Sequence, residues 1–233
     1  NKLLLVWRLA DMSVFTGGCS YAWGCTRYQN GCGNCPQLMQ PDRHDYSWQI
    51  FKRKKKAFDQ LDSSQLLVVT LNQWMLDHVA NSPLLNRFSH QVIPNGVDTD
   101  TFYKRSRKES RARLGLDPNG LYILTIAQDV NDKRKGTHCL TEAVKGLVQE
   151  VTLISVGRGS LPSLPLDTIE WGSVSEPEEL AQIYSAADLL VVTSLEDNQP
   201  NTVLESMACG TPVLAFKVGG IPEMFVHGEH GWL

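Results

Sequence analysis

From about residue 121 onward the apolar positions come in blocks. Residues 121–127, 151–156, 189–193 and 212–216 are apolar almost throughout, as strands buried on both faces are, and 169–171 is a shorter block of the same kind. Between the blocks the period changes to that of a helix. Residues 137–149 put Leu140, Ala143, Val144 and Leu147 on one face. Residues 177–187 open beside Glu176, Glu178 and Glu179, the charge a helix amino end favours. Residues 202–209 run up to Gly210, a glycine suited to end a helix. Apolar strands alternating with helices predict a parallel sheet covered on both faces.

The first 95 residues are less regular. Residues 66–70 and 72–80 predict one more strand and helix, residues 92–96 a strand ending in a turn, and residues 3–7 a buried strand. Residues 97–118 are polar and charged, with a short helix expected over 108–114. The boundary is expected near residues 95–100, giving units 1–97 and 98–233. Because residues 3–7 follow Asn1-Lys2 directly, and Gly231-Trp232-Leu233 reads as the start of a strand, the expectation is a piece of a longer protein.

Composition changes this picture mainly by exclusion. The formal net charge is −3 and the pI about 6.1, which gives no basic domain for a nucleic-acid partner. No apolar run approaches the roughly 20 residues of a membrane-spanning helix. The run Lys52-Arg53-Lys54-Lys55-Lys56 lies on a predicted helix whose other face carries Ile50, Phe51, Ala57, Phe58 and Leu61. It fits a solvated face, with peripheral contact to an anionic membrane as the alternative.

The polar chemistry follows the strands, where a doubly wound sheet binds ligands. After residue 127, Lys133, Arg134 and Lys135 crowd the start of a helix. Cations there oppose the helix dipole, so a bound anion is one explanation and a solvated basic loop the other. After residue 193, Asp197 lies in a loop and Glu205 one turn into the next helix, with seven residues between them. Both carboxylates can face one ligand, and acceptor-only groups suit sugar hydroxyls. Asn201 or Thr202 is placed to cap that helix.

These segments stand in a fixed order: Ile93-Pro-Asn-Gly-Val-Asp98, Arg134-Lys135-Gly136, Ala187-Asp188, Ser194, Asp197 to Glu205, Ala208-Cys-Gly-Thr-Pro-Val213, and Gly219-Gly220-Ile-Pro-Glu223. The series resembles the retaining family-4 glycosyltransferases of the GT-B fold, and residues 11–37 resemble a bacterial subset that builds surface or extracellular polysaccharides. The resemblance implies an α/β protein with two Rossmann-like domains: a truncated acceptor-side domain over 1–97, and a nucleotide-sugar-binding domain over 98–233, incomplete at its end. It implies transfer of a hexose-type sugar from a UDP- or GDP-linked donor to a glycan or lipid-linked acceptor, with retention of configuration, at a cytoplasmic site. Arg134 and Lys135 match the basic pair at the donor diphosphate and Asp197 the acid near the transferred sugar. Glu205 matches the ribose ligand. Asn198, Asn201 and Thr202 fall in the sugar- and phosphate-facing turn, Val174 beside the nucleobase, and Gly157 among the donor-binding positions. No cofactor is required by this chemistry. Two positions depart from the family pattern: Gln128 stands where an Arg is usual, and Ala10 where a His precedes the Asp11-Met12 pair. The rival readings are a nucleotide-sugar epimerase of the same fold and a non-catalytic, zinc-stabilised binding module.

Cys19, Cys25, Cys32 and Cys35 lie within 17 residues of one another. Four thiolates so spaced could hold a structural zinc; unmetallated thiols and disulfide or redox use are the other readings. Cys139 and Cys209 read as small buried residues.

Overall fold

The apolar blocks assemble into parallel sheets, and the polar stretch after residue 95 separates two compact units, Asn1–Asn95 and Gly96–Leu233. The computed structural model describes residues 3–147 and 150–233.

In the first unit the elements are β1 (Leu5–Arg8), α1 (Tyr46–Phe58), β2 (Leu66–Thr70), α2 (Gln73–Ala80) and β3 (Ser89–Val92). The three strands pair in parallel in the order β1-β2-β3. Each helix starts on a side chain that satisfies its first free N–H groups. Asp45 accepts from Ser47 N (2.9 Å) and Trp48 N (3.2 Å), and Asn72 accepts from Met75 N (2.8 Å). Met12, Phe15, Phe51, Val68, Met75 and Val79 form the core. The strand expected at residues 3–7 is β1, which pairs with β2 along one side, and its four residues are exposed in this structure where the pattern had read them as buried. The strand expected at residues 92–96 is β3, displaced toward the amino end so that Pro94, which cannot donate to a ladder, lies beyond it.

The second unit contains α3 (Arg107–Arg113), β4 (Tyr122–Asp129), α4 (Thr137–Val144), β5 (Thr152–Arg158), β6 (Thr168–Gly172), α5 (Pro177–Ala186), β7 (Leu189–Val192), α6 (Asn201–Ala208), β8 (Val213–Ala215) and β9 (Gly231–Trp232). All six strands are parallel, in the order β6-β5-β4-β7-β8-β9. Numbered within the sheet this is 3-2-1-4-5-6, the doubly wound order whose direction of growth reverses between β4 and β7. Successive residues of each strand point to opposite faces. Leu153 and Val191 accordingly pack with Leu140 and Val144 of α4, while Ile154, Leu190 and Val192 pack with Ile183, Tyr184 and Val203 of α5 and α6. α4 stops at Val144, short of the expected residue 149; Gly146 weakens continuation, and residues 148–149 lie outside the described residues.

The Ala187-Asp188 pair belongs to this architecture. Asp188 Oδ2 accepts from Tyr122 N (2.8 Å) and from Arg111 Nη2 (2.7 Å), and Oδ1 pairs with Arg107 Nη1 (3.0 Å). Arg111 is buried and also donates to Ala186 O and Pro118 O, both at 2.9 Å. One aspartate thus fastens α3 to the start of the sheet.

Candidate nucleotide-sugar site

At the switch point the loops after β4 and β7 are laced together. Residues Lys133–Lys135 form a single 3-10 turn, opened by Asp132, whose side chain accepts from Arg134 N (2.9 Å). Arg134 O accepts from Leu195 N (2.7 Å), and Lys135 O accepts from Thr193 Oγ1 (2.9 Å). Gly136 then takes φ 65°, and a Cβ there would stand 1.9 Å from Thr193 O. Only glycine allows the first loop to lie this close to the second.

Side-chain charge gathers on the same spot. Asp197 is 5% exposed. Its Oδ2 accepts from Lys135 Nζ (2.7 Å), Arg134 Nη1 (3.1 Å) and Ser194 Oγ (3.1 Å), and its Oδ1 from Asn198 N (3.0 Å). Arg134 Nη1 also donates to Glu196 O (3.1 Å), and its Nη2 stands 3.5 Å from the more exposed Asp132. The backbone of Asp197 is fixed from the far side: its carbonyl accepts from Gly220 N (3.1 Å), and a Cβ on Gly219 would come within 1.8 Å of that oxygen. The Gly219-Gly220 pair is therefore part of the floor under Asp197. Asp197 and Asp132 offset Arg134 and Lys135, and exposed Lys133 leaves the turn after β4 with an excess of positive charge, where an anion would be received.

The structure thus brings Arg134, Lys135, Asp197 and Asn198 together. Asp197, expected to face a sugar, is engaged as the counter-ion of the basic pair. Glu205 stands apart, one turn into α6, half-buried, with Tyr184 Oη donating to its Oε2 at 2.8 Å. Burial pushes the Glu205 carboxyl above its ordinary value, and the tyrosine hydrogen bond works against that rise. The expected cap at Asn201 or Thr202 is corrected. Pro200 occupies the cap position with no side-chain hydrogen bond; its φ of −66° and ψ of 119° turn the chain so that Asn201 is already the first helical residue. Asn201 is exposed there and Thr202 is half-buried. Val174 follows β6 and packs, half-buried, against the main core, while Trp171 Nε1 donates to Glu179 (2.8 Å). Gly157 lies in β5 against the Ala127 carbonyl.

Sequence reasoning missed Tyr184. It reads as one more apolar residue of α5, and its only signal is a hydroxyl where a phenylalanine would pack as well, since buried tyrosine hydroxyls find a partner.

In the first unit, Cys19, Cys25, Cys32 and Cys35 line one cavity of about 280 Å³ with Tyr28 and Ile50. All six cysteines are free thiols. Burial, reinforced by the neighbouring thiols, pushes Cys32 up to about 12. Among the described residues, no group of three or more His, Cys, Asp or Glu side chains is arranged to hold a metal ion. In this segment Cys32 (φ 58°) and Asn34 (φ 48°) take left-handed backbone. Lys54, in the basic run, turns inward and donates to Ser13 O and to Thr16 O (3.1 Å). No helix of the described residues is long and apolar enough to cross a membrane.

The second unit is a doubly wound parallel sheet with a cationic, glycine-walled switch point, and the first is a smaller parallel α/β unit; two such α/β units are the parts of the GT-B fold. Comparison with known proteins agrees. Residues 120–233 match the family described as "Glycosyl transferases group 1". A D-inositol 3-phosphate glycosyltransferase of Segniliparus rotundus is 32% identical over 147 residues, 56% of this chain and 32% of that protein. The putative colanic acid biosynthesis glycosyl transferase WcaC of Escherichia coli is 25% identical over 213 residues, 91% of this chain and 51% of that protein. The chain thus spans about half or less of the length of these relatives. Among solved structures, the sucrose-phosphate synthase of Thermosynechococcus elongatus superposes with a TM-score of 0.69 at 26% identity, covering 91% of this chain and 53% of the other. HepE of Anabaena, solved in complex with UDP-glucose, shares the fold (TM-score 0.64, 20% identity, 99% of this chain and 58% of the other).

Proposed function

We propose that the second unit binds the donor of a glycosyltransferase that moves a hexose-type sugar from a nucleotide diphosphate sugar to a glycan or lipid-linked acceptor, with retention of configuration. The observation that carries this reading is the pair Arg134 and Lys135 on the single buried carboxylate of Asp197, at the reversal of strand order. Breaking the C1–O bond of a nucleotide sugar builds negative charge on the departing diphosphate. Cations already fixed in place stabilise that charge with little rearrangement, and so lower the barrier to departure. Asp197 acts as a positioning residue that keeps the two cations aimed. Glu205 accepts from the ribose hydroxyls. A nucleotide diphosphate is the ligand class named in the HepE complex. Retention and a hexose donor rest on the resemblance of the motif series to family-4 enzymes. The basic face of α1, less Lys54, is the surface left for peripheral contact with a membrane on its cytoplasmic side.

The test is calorimetric titration of the full-length protein with UDP, GDP, UDP-glucose and GDP-mannose. At least one diphosphate should bind, and Lys135→Met should weaken it about tenfold or more while leaving the matching nucleoside unaffected, since loss of one charge-assisted contact is worth about 1.5–3 kcal/mol. Equal diphosphate affinity in the variant would remove the basic pair from the donor site.

A further inference from the structure

Tyr184 is the largest of the fully buried side chains. Its ring packs edge-on against Phe102, with centroids 6.1 Å apart. For that packing the hydroxyl is unnecessary, yet it is the one group that meets Glu205, through the 2.8 Å bond to Oε2. The rest of Tyr184 is immobilised as well. Its carbonyl accepts from Thr211 Oγ1 (2.6 Å). Thr211 is locked to α6 in both directions, its N donating to Ser206 O (2.9 Å) and its O accepting from Ser206 Oγ (3.0 Å). A rigid frame therefore fixes the point from which the hydroxyl reaches out. Glu205 itself is half-buried, and among the described residues its Oε1 has no hydrogen-bond partner. One carboxylate oxygen is held inward and the other is left with its acceptor capacity unused.

We propose that Tyr184 is a positioning residue for ribose recognition, whose hydroxyl anchors one oxygen of Glu205 so that the other is presented to the vicinal diol of the nucleotide. The proposal rests on the reading of Glu205 as the ribose ligand. A carboxylate pinned at one oxygen has lost most of its rotational freedom before the ligand arrives, so less is lost on binding. The anchor also keeps the group in its accepting, ionised form. Burial pushes Glu205 toward the neutral acid, and the phenol hydrogen bond opposes this. Among the neighbouring groups, Cys209 caps the carboxyl end of the same helix, and Arg105 and Glu178 are close enough to Cys209 to influence it.

The experiment compares UDP with 2′,3′-dideoxy-UDP (GDP and its dideoxy form in parallel) on wild-type full-length protein, Tyr184→Phe and Glu205→Ala, with melting temperatures recorded for each. Wild type should prefer the diol-bearing nucleotide about tenfold or more, since two hydrogen bonds to a carboxylate are at stake. Glu205→Ala should abolish that preference. Tyr184→Phe, which keeps the ring and its packing, should reduce the preference several-fold. It should also move the acid limb of UDP binding to higher pH, because the bond that opposes burial is gone. If Glu205→Ala keeps the preference, the ribose reading fails. If Glu205→Ala loses it while Tyr184→Phe matches wild type in preference and pH limb, lowering only the melting temperature, the ribose reading stands and the positioning role is overturned.

Discussion

Replacing Asp197 with Asn keeps the shape of the side chain and removes the charge that two cations share. The carboxylate is about as enclosed as a surface loop allows, with side-chain exposures of 7% for Asp197, 19% for Arg134 and 22% for Lys135. At an effective dielectric constant of about 20, contacts of 2.7 and 3.1 Å correspond to roughly 5–6 kcal/mol each before desolvation is counted. Desolvation offsets much of this, and removing one member of such a buried group typically costs about 3–5 kcal/mol. Against a total stability of roughly 5–15 kcal/mol that is a large loss. For a unit of this size it corresponds to a fall in melting temperature of about 10–15 °C. Differential scanning calorimetry of the full-length protein reads it directly. The same reasoning makes a second demand: a bound diphosphate supplies negative charge to the stranded cations, so saturating UDP or GDP should raise the melting temperature of Asp197→Asn by more than it raises that of wild type. A variant that melts within about 2 °C of wild type, with the same nucleotide-induced shift, would refute the counter-ion role and return Asp197 to a purely sugar-facing one.

The remaining predictions probe the frame around the site. Gly136→Ala should abolish nucleotide binding by titration while leaving the helix signal in circular dichroism largely intact, because the added methyl meets Thr193 O and parts the two loops. Arg111→Met should destabilise the second unit by about 3 kcal/mol, seen as a lower urea midpoint, because it removes the buried one of the two arginines on Asp188 and unpairs two carbonyls. Asp45→Ala should cost the first unit about 1–2 kcal/mol through loss of the α1 cap. Burial pushes the Asp45 carboxyl up, but the bonds from Ser47, Cys35, Trp48 and Asp42 outweigh it and hold the folded-state value at about 2, against 3.8 unperturbed. A depressed acid stabilises above its unfolded value, so this contribution is present above about pH 4 and is lost as pH falls toward 2. Acid titration of the variant should accordingly lack the part of the wild-type transition in that window.

The second sheet was legible because its strands are apolar without interruption and its helices are periodic; nothing beyond period and length is needed to read residues 122–126 or 189–192. The position of the basic turn was legible too, since Lys133, Arg134 and Lys135 sit where a helix dipole discourages them. The pairing was not. Arg134 and Asp197 are 63 residues apart, and no local rule connects a cation in one loop with a carboxylate in another until the order β4-β7 makes the loops neighbours. Pro200 hid the start of α6, because Asn201 and Thr202 have the composition of a cap while the proline fixes the turn one residue earlier. Tyr184 was invisible for another reason: its helical spacing accounts for it so well that the hydroxyl drew no question.

Gly136 and Gly219 have one further consequence. At both, the obstacle is main-chain oxygen within 2 Å of where any Cβ must go, not the chemistry of a particular neighbour. A saturation library should therefore return a flat profile at these two positions, with alanine as damaging as tryptophan. Lys135 and Glu205 should instead show graded profiles that follow charge and length. The shape of the tolerance profile, more than its depth, would separate the residues that make room for a ligand from those that hold it.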